Sequence, residues 1–249
     1  MTWLGLLLVG VAATDLIFSW CRRPRLAEGV SATVVVVLGL LVGVGGVGEV
    51  LGLLVVGLAV VAWGESVTYG FGTRRYAVPL SLLAVEIMGA VLASAASSPA
   101  DGPAADWLAG SSLPLLAGLE GDRALLLLGV LLVQLSTGNV LVRLVLGASG
   151  ITHPMRSTTG PAPALKGGRL LGPMERVFIV GLGLAGEVTA ASIVIAAKGL
   201  LRFPELQAAR TDENGGPSGP GIHEVTEYFL VGSFVSWTVS LVALALAAA

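Results

Sequence analysis

The sequence predicts an all-α fold, a polytopic transmembrane helix bundle, and three observations carry that prediction. Hydrophobic residues make up 55% of the 249 and charged residues 12%, against about 25% charged in an average soluble domain. Mean hydropathy is +0.89. Long apolar runs alternate with short segments rich in Arg, Pro and Gly, the pattern of a chain that crosses a bilayer repeatedly.

Cut at charges and turn residues, the runs predict about seven spans in a single integral membrane domain: 2–21, 30–45, 47–66, 77–96, 124–143, 173–201 and 228–248. Extramembrane loops are expected at 97–123, 144–172 and 202–227. Thr2–Cys21 is closed by Arg22, Arg23, Pro24 and Arg25. No basic segment precedes its LGLLLVGVAA, so it reads as a membrane helix rather than a cleaved signal. Val30–Ser66 carries no basic residue. As one helix it would be ~55 Å long, too long for a hydrocarbon core of ~30 Å. The run GVGGVGE, Gly43–Glu49, divides it into two spans. Ala77–Ala96, Ala124–Arg143, Pro173–Leu201 and Tyr228–Ala248 follow, and the stretch around Trp107–Leu119 is expected to lie flat at the interface.

Charge sets the orientation. With the N-terminus outside and seven alternating spans, the inner side holds Arg22, Arg23, Arg25, Arg74, Arg75, Arg143, Arg156, Lys166, Arg169 and Arg176. The outer side holds only Arg123, Lys198, Arg202 and Arg210. The positive-inside rule therefore favours N-out and C-in. A net charge of −2 without a basic patch predicts no nucleic-acid partner. The single Cys21 excludes a disulfide within the chain, and His153 and His223 fall in loops on opposite faces, so no metal or cofactor is expected.

One motif argues otherwise. VFIVGLGLAGEVTAAS places four β-prone residues before Gly181-x-Gly183-x-x-Gly186, and Glu205 follows about 20 residues on, the spacing of a dinucleotide-binding turn. Such a turn needs further parallel strands with helices between them, and no such alternation exists in the chain. Pro173 and Glu175 suit a helix start, Lys198 and Arg202 suit a helix end, and Pro173–Leu201 as one helix spans ~43 Å. On that helix Arg176, Gly183, Glu187, Ala191, Val194 and Lys198 fall within about 40° of one line, a stripe on which another helix can approach closely.

The intramembrane carboxylates are the candidate polar site. Glu86 and Glu187 each fall near mid-span with small residues three and four positions on, and Asp15 lies in the first span. A central carboxylate costs ~2.5–3.5 kcal/mol on insertion scales, so such groups face protein or water. Two readings stand: Glu86 and Glu187 meet in one cavity as a proton- or cation-linked site, or each pins its helix to a neighbour. Asp15, Glu49 and Glu65 lean to the second reading. In LLVQLSTGNVLVR, Ser136, Asn139 and Arg143 share one stripe of a continuous helix and Gln134 and Thr137 the opposite side. Ser233, Ser236 and Ser240 read as a packing face. No HExxH, GxSxG or P-loop occurs, so no enzyme is predicted; an intramembrane enzyme is a distant alternative.

Three C-terminal segments carry a resemblance: GRLLGPMER at Gly168–Arg176, AAKGLLRF at Ala196–Phe203 and EYFLVGSFVS at Glu227–Ser236. In that order they resemble motifs of bacterial integral membrane proteins carrying the domain of unknown function 3307. Gly199 stands where that family favours Ser, and Ser233 where it favours Thr. The resemblance implies a bacterial plasma-membrane protein and assigns no activity. It singles out Glu175, Arg176, Lys198, Arg202, Glu227 and Tyr228, expected as helix-end anchors, with Lys198 and Arg202 facing Glu227 across the outer loop. The expected function is a non-enzymatic membrane component, an assembly or signalling partner. A small proton- or cation-linked transporter is the alternative. The bilayer is the first expected partner, followed by a second copy or another membrane protein.

Overall fold

The computed structural model describes residues 1–95, 102–111, 118–151, 168–201 and 222–248. Among them the regular elements are all helices: α1 (Thr2–Cys21), α2 (Pro24–Leu41), α3 (Val47–Thr73), α4 (Ala77–Ala95), α5 (Pro103–Ala109), α6 (Gly121–Leu135), α7 (Thr137–Ala148), α8 (Gly168–Leu184), α9 (Val188–Leu201) and α10 (Ile222–Ala248). Five helices are long and apolar enough to cross a membrane: α1 to α4 and, within α10, Thr226–Ala248. Counting α6 and α7 as one broken crossing raises the number to six.

The chain forms two compact units, Met1–Thr137 and Gly138–Ala249. In the first, α1 is the central helix and touches α2, α3, α4 and α6. Its sequence is apolar on every side, so it has no wet face to turn outward. Glycines bring α6 close. A Cβ on Gly5 would lie 2.9 Å from the Leu126 nitrogen, and one on Gly129 2.8 Å from Leu8 Cβ and 3.0 Å from the Gly5 carbonyl. Contacts advance together along α1 and α6, from Met1–Asp122 to Leu8–Gly129 to Asp15–Thr137, so these helices run in the same sense. Trp3–Gly52 and Asp15–Trp63 align α3 with them. Glu28–Gly64 and Gly39–Leu53 run α2 opposite to α3, and the Leu4 N–H, an orphan of the first turn of α1, donates to Ser94 Oγ near the far end of α4 at 3.1 Å.

The division at Gly43–Glu49 is present. Gly43 takes φ 96°, α2 stops, and Glu49 Oε2 accepts from the Gly45 and Gly46 N–H groups at 3.0 and 2.8 Å to start α3. The second span differs from expectation at its start. Pro24 opens the helix from its first position, which draws Arg25 and Glu28 into it. The third runs on to Thr73, where Arg74 in the left-handed region ends it. Part of the stretch expected to lie flat, 112–117, falls outside the described residues.

Two expected helices are broken. The fifth span, read as continuous over 124–143, stops at Ser136, whose φ −123° and ψ −67° leave the helical region. Ser136 Oγ is turned onto the Ala12 carbonyl of α1 at 2.9 Å, so its stripe with Asn139 and Arg143 does not exist. The sixth, read as one helix over 173–201, stops at Leu184. Gly186 takes φ +80°, its N–H bonds the Gly183 carbonyl and the Glu187 N–H bonds the Leu182 carbonyl, a glycine-stopped helix end. Glu187 then opens α9, accepting the Ala191 N–H.

In the second unit α8 touches both α9 and α10. Arg176 meets Ser236, and a Cβ on Gly183 would lie 2.5 Å from Leu244 Cδ2. These contacts advance together, so α8 and α10 run in the same sense. Gly232 beside Val142 and Leu146 sets α7 against them. The dinucleotide reading finds no strand among the described residues: Gly183 is a close-approach glycine, Gly186 a helix stop, and Gly181 has open space beside it.

Candidate functional site

Each unit holds a polar centre in which side chains of different helices are hydrogen-bonded to one another. In the first, Asp15 Oδ2 accepts from Thr137 Oγ1 at 2.7 Å and from Trp63 Nε1 at 3.3 Å, tying α1 to α7's first residue and to α3. Thr14 and Trp63 beside it are buried, and Thr14 Oγ1 returns to the Gly10 carbonyl of its own helix at 3.0 Å. Asp15 therefore acts as a shared acceptor between helices.

In the second unit the centre is a guanidinium. Arg176 is 1% exposed. Its Nη2 donates to Asn139 Oδ1 at 2.8 Å and its Nη1 to Ser236 Oγ at 3.2 Å, so one side chain joins α7, α8 and α10. The room comes from Gly138, where a Cβ would lie 2.5 Å from Nε. Glu175, half-buried, lies within electrostatic reach. Hydrogen bonds to a charged donor contribute about 1.5–3 kcal/mol each, so this centre outweighs the neutral contacts around it.

The expected site residues divide. Asp15 lies in a built centre. Glu86 is half-buried on α4, and both its carboxylate oxygens are shielded without a hydrogen-bond partner. Glu187 is exposed at the turn, so the mid-helix position that brought it towards Glu86 is not there. Arg176 is a correction of another kind: expected as a helix-end anchor, it is the most interior charge among the described residues of its unit. Glu227 is exposed, and Tyr228 sits edge-on to Phe229 with ring centroids 6.0 Å apart. The Lys198 side chain and Arg202 lie outside the described residues, and with them the expected link to Glu227. Ser236 and Ser240 are buried, whereas Ser233 is half-buried.

Glu28 escaped the sequence reading because the second span was started at Val30; Ser31 fell inside that span but was not singled out. Pro24, a first-turn residue after an arginine run, was the signal for an earlier start. Both are buried on α2, at 4% and 0% exposure. Among the described residues no three His, Cys, Asp or Glu side chains gather as metal ligands. Compared with protein-family models, curated proteins and solved structures, the chain matches none of them, and its two centres are read from their own geometry.

Proposed function

We propose that this chain is a non-enzymatic multi-pass component of a bacterial plasma membrane, an assembly or signalling partner whose buried polar groups pin its helices. One observation carries the reading: Asp15 and Arg176, the two built centres, direct their polar atoms to neighbouring helices. The likeness of three C-terminal motifs to proteins carrying the domain of unknown function 3307 supports the bacterial membrane.

The topology we propose departs from seven crossings with N-out and C-in. Because α8 and α10 run in one sense and the 202–221 linker is polar, α9 must return towards the side from which α8 entered. At 17 and 14 residues, α8 and α9 are ~25 and ~21 Å long, each short of a ~30 Å core. They form a re-entrant hairpin on the inner side. Six crossings result, with both termini outside. Lys198, Arg202 and Arg210 then move inside and leave Arg123 as the one outer base, a sharper cationic asymmetry than seven crossings give. Impermeant labelling of terminal tags tests this: both should react from the same side, and reaction from opposite sides restores the odd count.

The role is tested in proteoliposomes. The protein should carry no proton or alkali-cation flux beyond that of empty vesicles. A flux that Asp15→Asn or Glu86→Gln abolishes in folded protein replaces this reading with transport.

A further inference from the structure

In the first unit the Glu28 carboxylate on α2 is built unlike Asp15. Glu28 Oε1 is fully shielded and has no hydrogen-bond partner. Three positions on, on the same face of α2, Ser31 Oγ is shielded and without a partner too. Opposite Glu28, α3 presents Gly64, and a Cβ there would lie 2.6 Å from Glu28 Cγ and 2.7 Å from Oε1, so the carboxyl lies against bare backbone. Asp15 has two donors aimed at it; Glu28 has none. Burying a carboxylate without donors costs several kcal/mol unless a positive species joins it.

Two charged groups act on Glu28 from a distance, and neither is bonded to it. Arg25, one turn earlier on α2, is exposed and its positive charge reaches Glu28, while Glu65 on α3 opposes it with a second negative charge. Across α1, Asp15 is occupied by Trp63 and Thr137. The open donors are a carboxylate and a hydroxyl oxygen, with no nitrogen or sulfur. Hard oxygen ligands of this kind suit alkali and alkaline-earth ions rather than transition metals. A single buried carboxylate beside one hydroxyl matches one positive charge better than two.

We propose that Glu28 and Ser31 form an intramembrane site for a monovalent cation of the Na+ class, which enters as the carboxyl gives up its proton. Charge balances: one proton leaves Oε and one cation replaces it, with water completing the shell. The site lies one helical turn from the Arg22–Arg25 turn, so the ion reaches it from that face. This goes beyond the pinning role, since an ion can reside in a helix bundle that transports nothing.

Dicyclohexylcarbodiimide, which adds to protonated carboxyls in apolar surroundings, is the test on the full chain in detergent. Mass spectrometry should find the adduct on Glu28. With Na+ at about ten times its dissociation constant, labelling should slow about tenfold, in proportion to the empty fraction, whereas choline should leave it unchanged. Ser31→Ala should still label at Glu28 but lose the Na+ protection, and Glu28→Gln should lose the adduct. Labelling of Glu28 that neither Na+ nor K+ slows makes it an ordinary protonated acid and overturns the proposal. Absence of the adduct from Glu28 in the native chain, with and without Na+, overturns it as well. Neither outcome depends on a variant folding.

Discussion

The two units solve the same packing problem by different means. In the first, a largely apolar α1 is gripped by neighbours that come close because Gly5 and Gly129 lack side chains, and its one built polar centre, Asp15, lies towards the end of the helix. In the second, a single arginine reaches two other helices, and glycine serves to make room for it. Lipid tails are as apolar as leucine, so helices in a bilayer gain little from hydrophobic contact and must associate by close packing or by polar bonds. The first unit relies mainly on close packing. The second relies on a charge, which concentrates its stability in one side chain.

That contrast can be broken most directly at Arg176. Arg176→Ala should cost about 2–4 kcal/mol, because Asn139 and Ser236 lose their charged donor in a buried place. Hydrogen exchange should rise through α7, α8 and α10 while α1 to α3 keep their protection; an equal rise in α1 would show that the units do not fold separately. The close-packed counterpart is Gly129→Ala. Its Cβ meets Leu8 and the Gly5 carbonyl, and about 1–3 kcal/mol should be lost in a detergent denaturation series. Gly181→Ala, with open space around it, should be neutral or slightly stabilising in the same series.

Asp15 should fall below both. Asp15→Ala leaves Trp63 Nε1 and Thr137 Oγ1 without their acceptor, and about 1–2 kcal/mol should go with it. Asp15→Asn keeps an acceptor and should lose less; equal losses would mean that the charge, not the hydrogen bonds, matters. Smallest of all is Glu187→Gln, where an exposed side chain at a turn should leave thermal stability and membrane insertion unchanged. A marked loss of either would return Glu187 to the interior.

Much of the architecture was legible in the sequence. Composition gives the helical membrane class, and the charges after Cys21 and the glycines after Val42 give two boundaries. Gly183 on a contact stripe with Arg176 was legible as well, because the helix there is regular and its periodicity holds. The misses share a cause. Periodicity carries no phase information across a break, and at Ser136 and Gly186 the breaks use residues that also occur inside membrane helices. Once Gly186 stops α8, Glu187 and Ala191 no longer belong to the stripe that contains Arg176. Arg176 itself was expected at a helix end, as a residue of the GRLLGPMER motif, whereas its burial depends on Asn139 and Ser236, which lie 37 and 60 residues away in sequence.

The partnership of α1 with α6 has a consequence for biosynthesis. The Thr137 hydroxyl that completes Asp15 is 122 residues from it along the chain, and Gly5 waits as long for Leu126. A chain entering the bilayer from its N-terminus thus holds its central helix unfinished while α2 to α6 are made. During that interval Asp15 has only Trp63 to bind, and the glycine face of α1 is open to lipid or to any insertion factor that shelters apolar helices. Residue 137 is where that exposure ends.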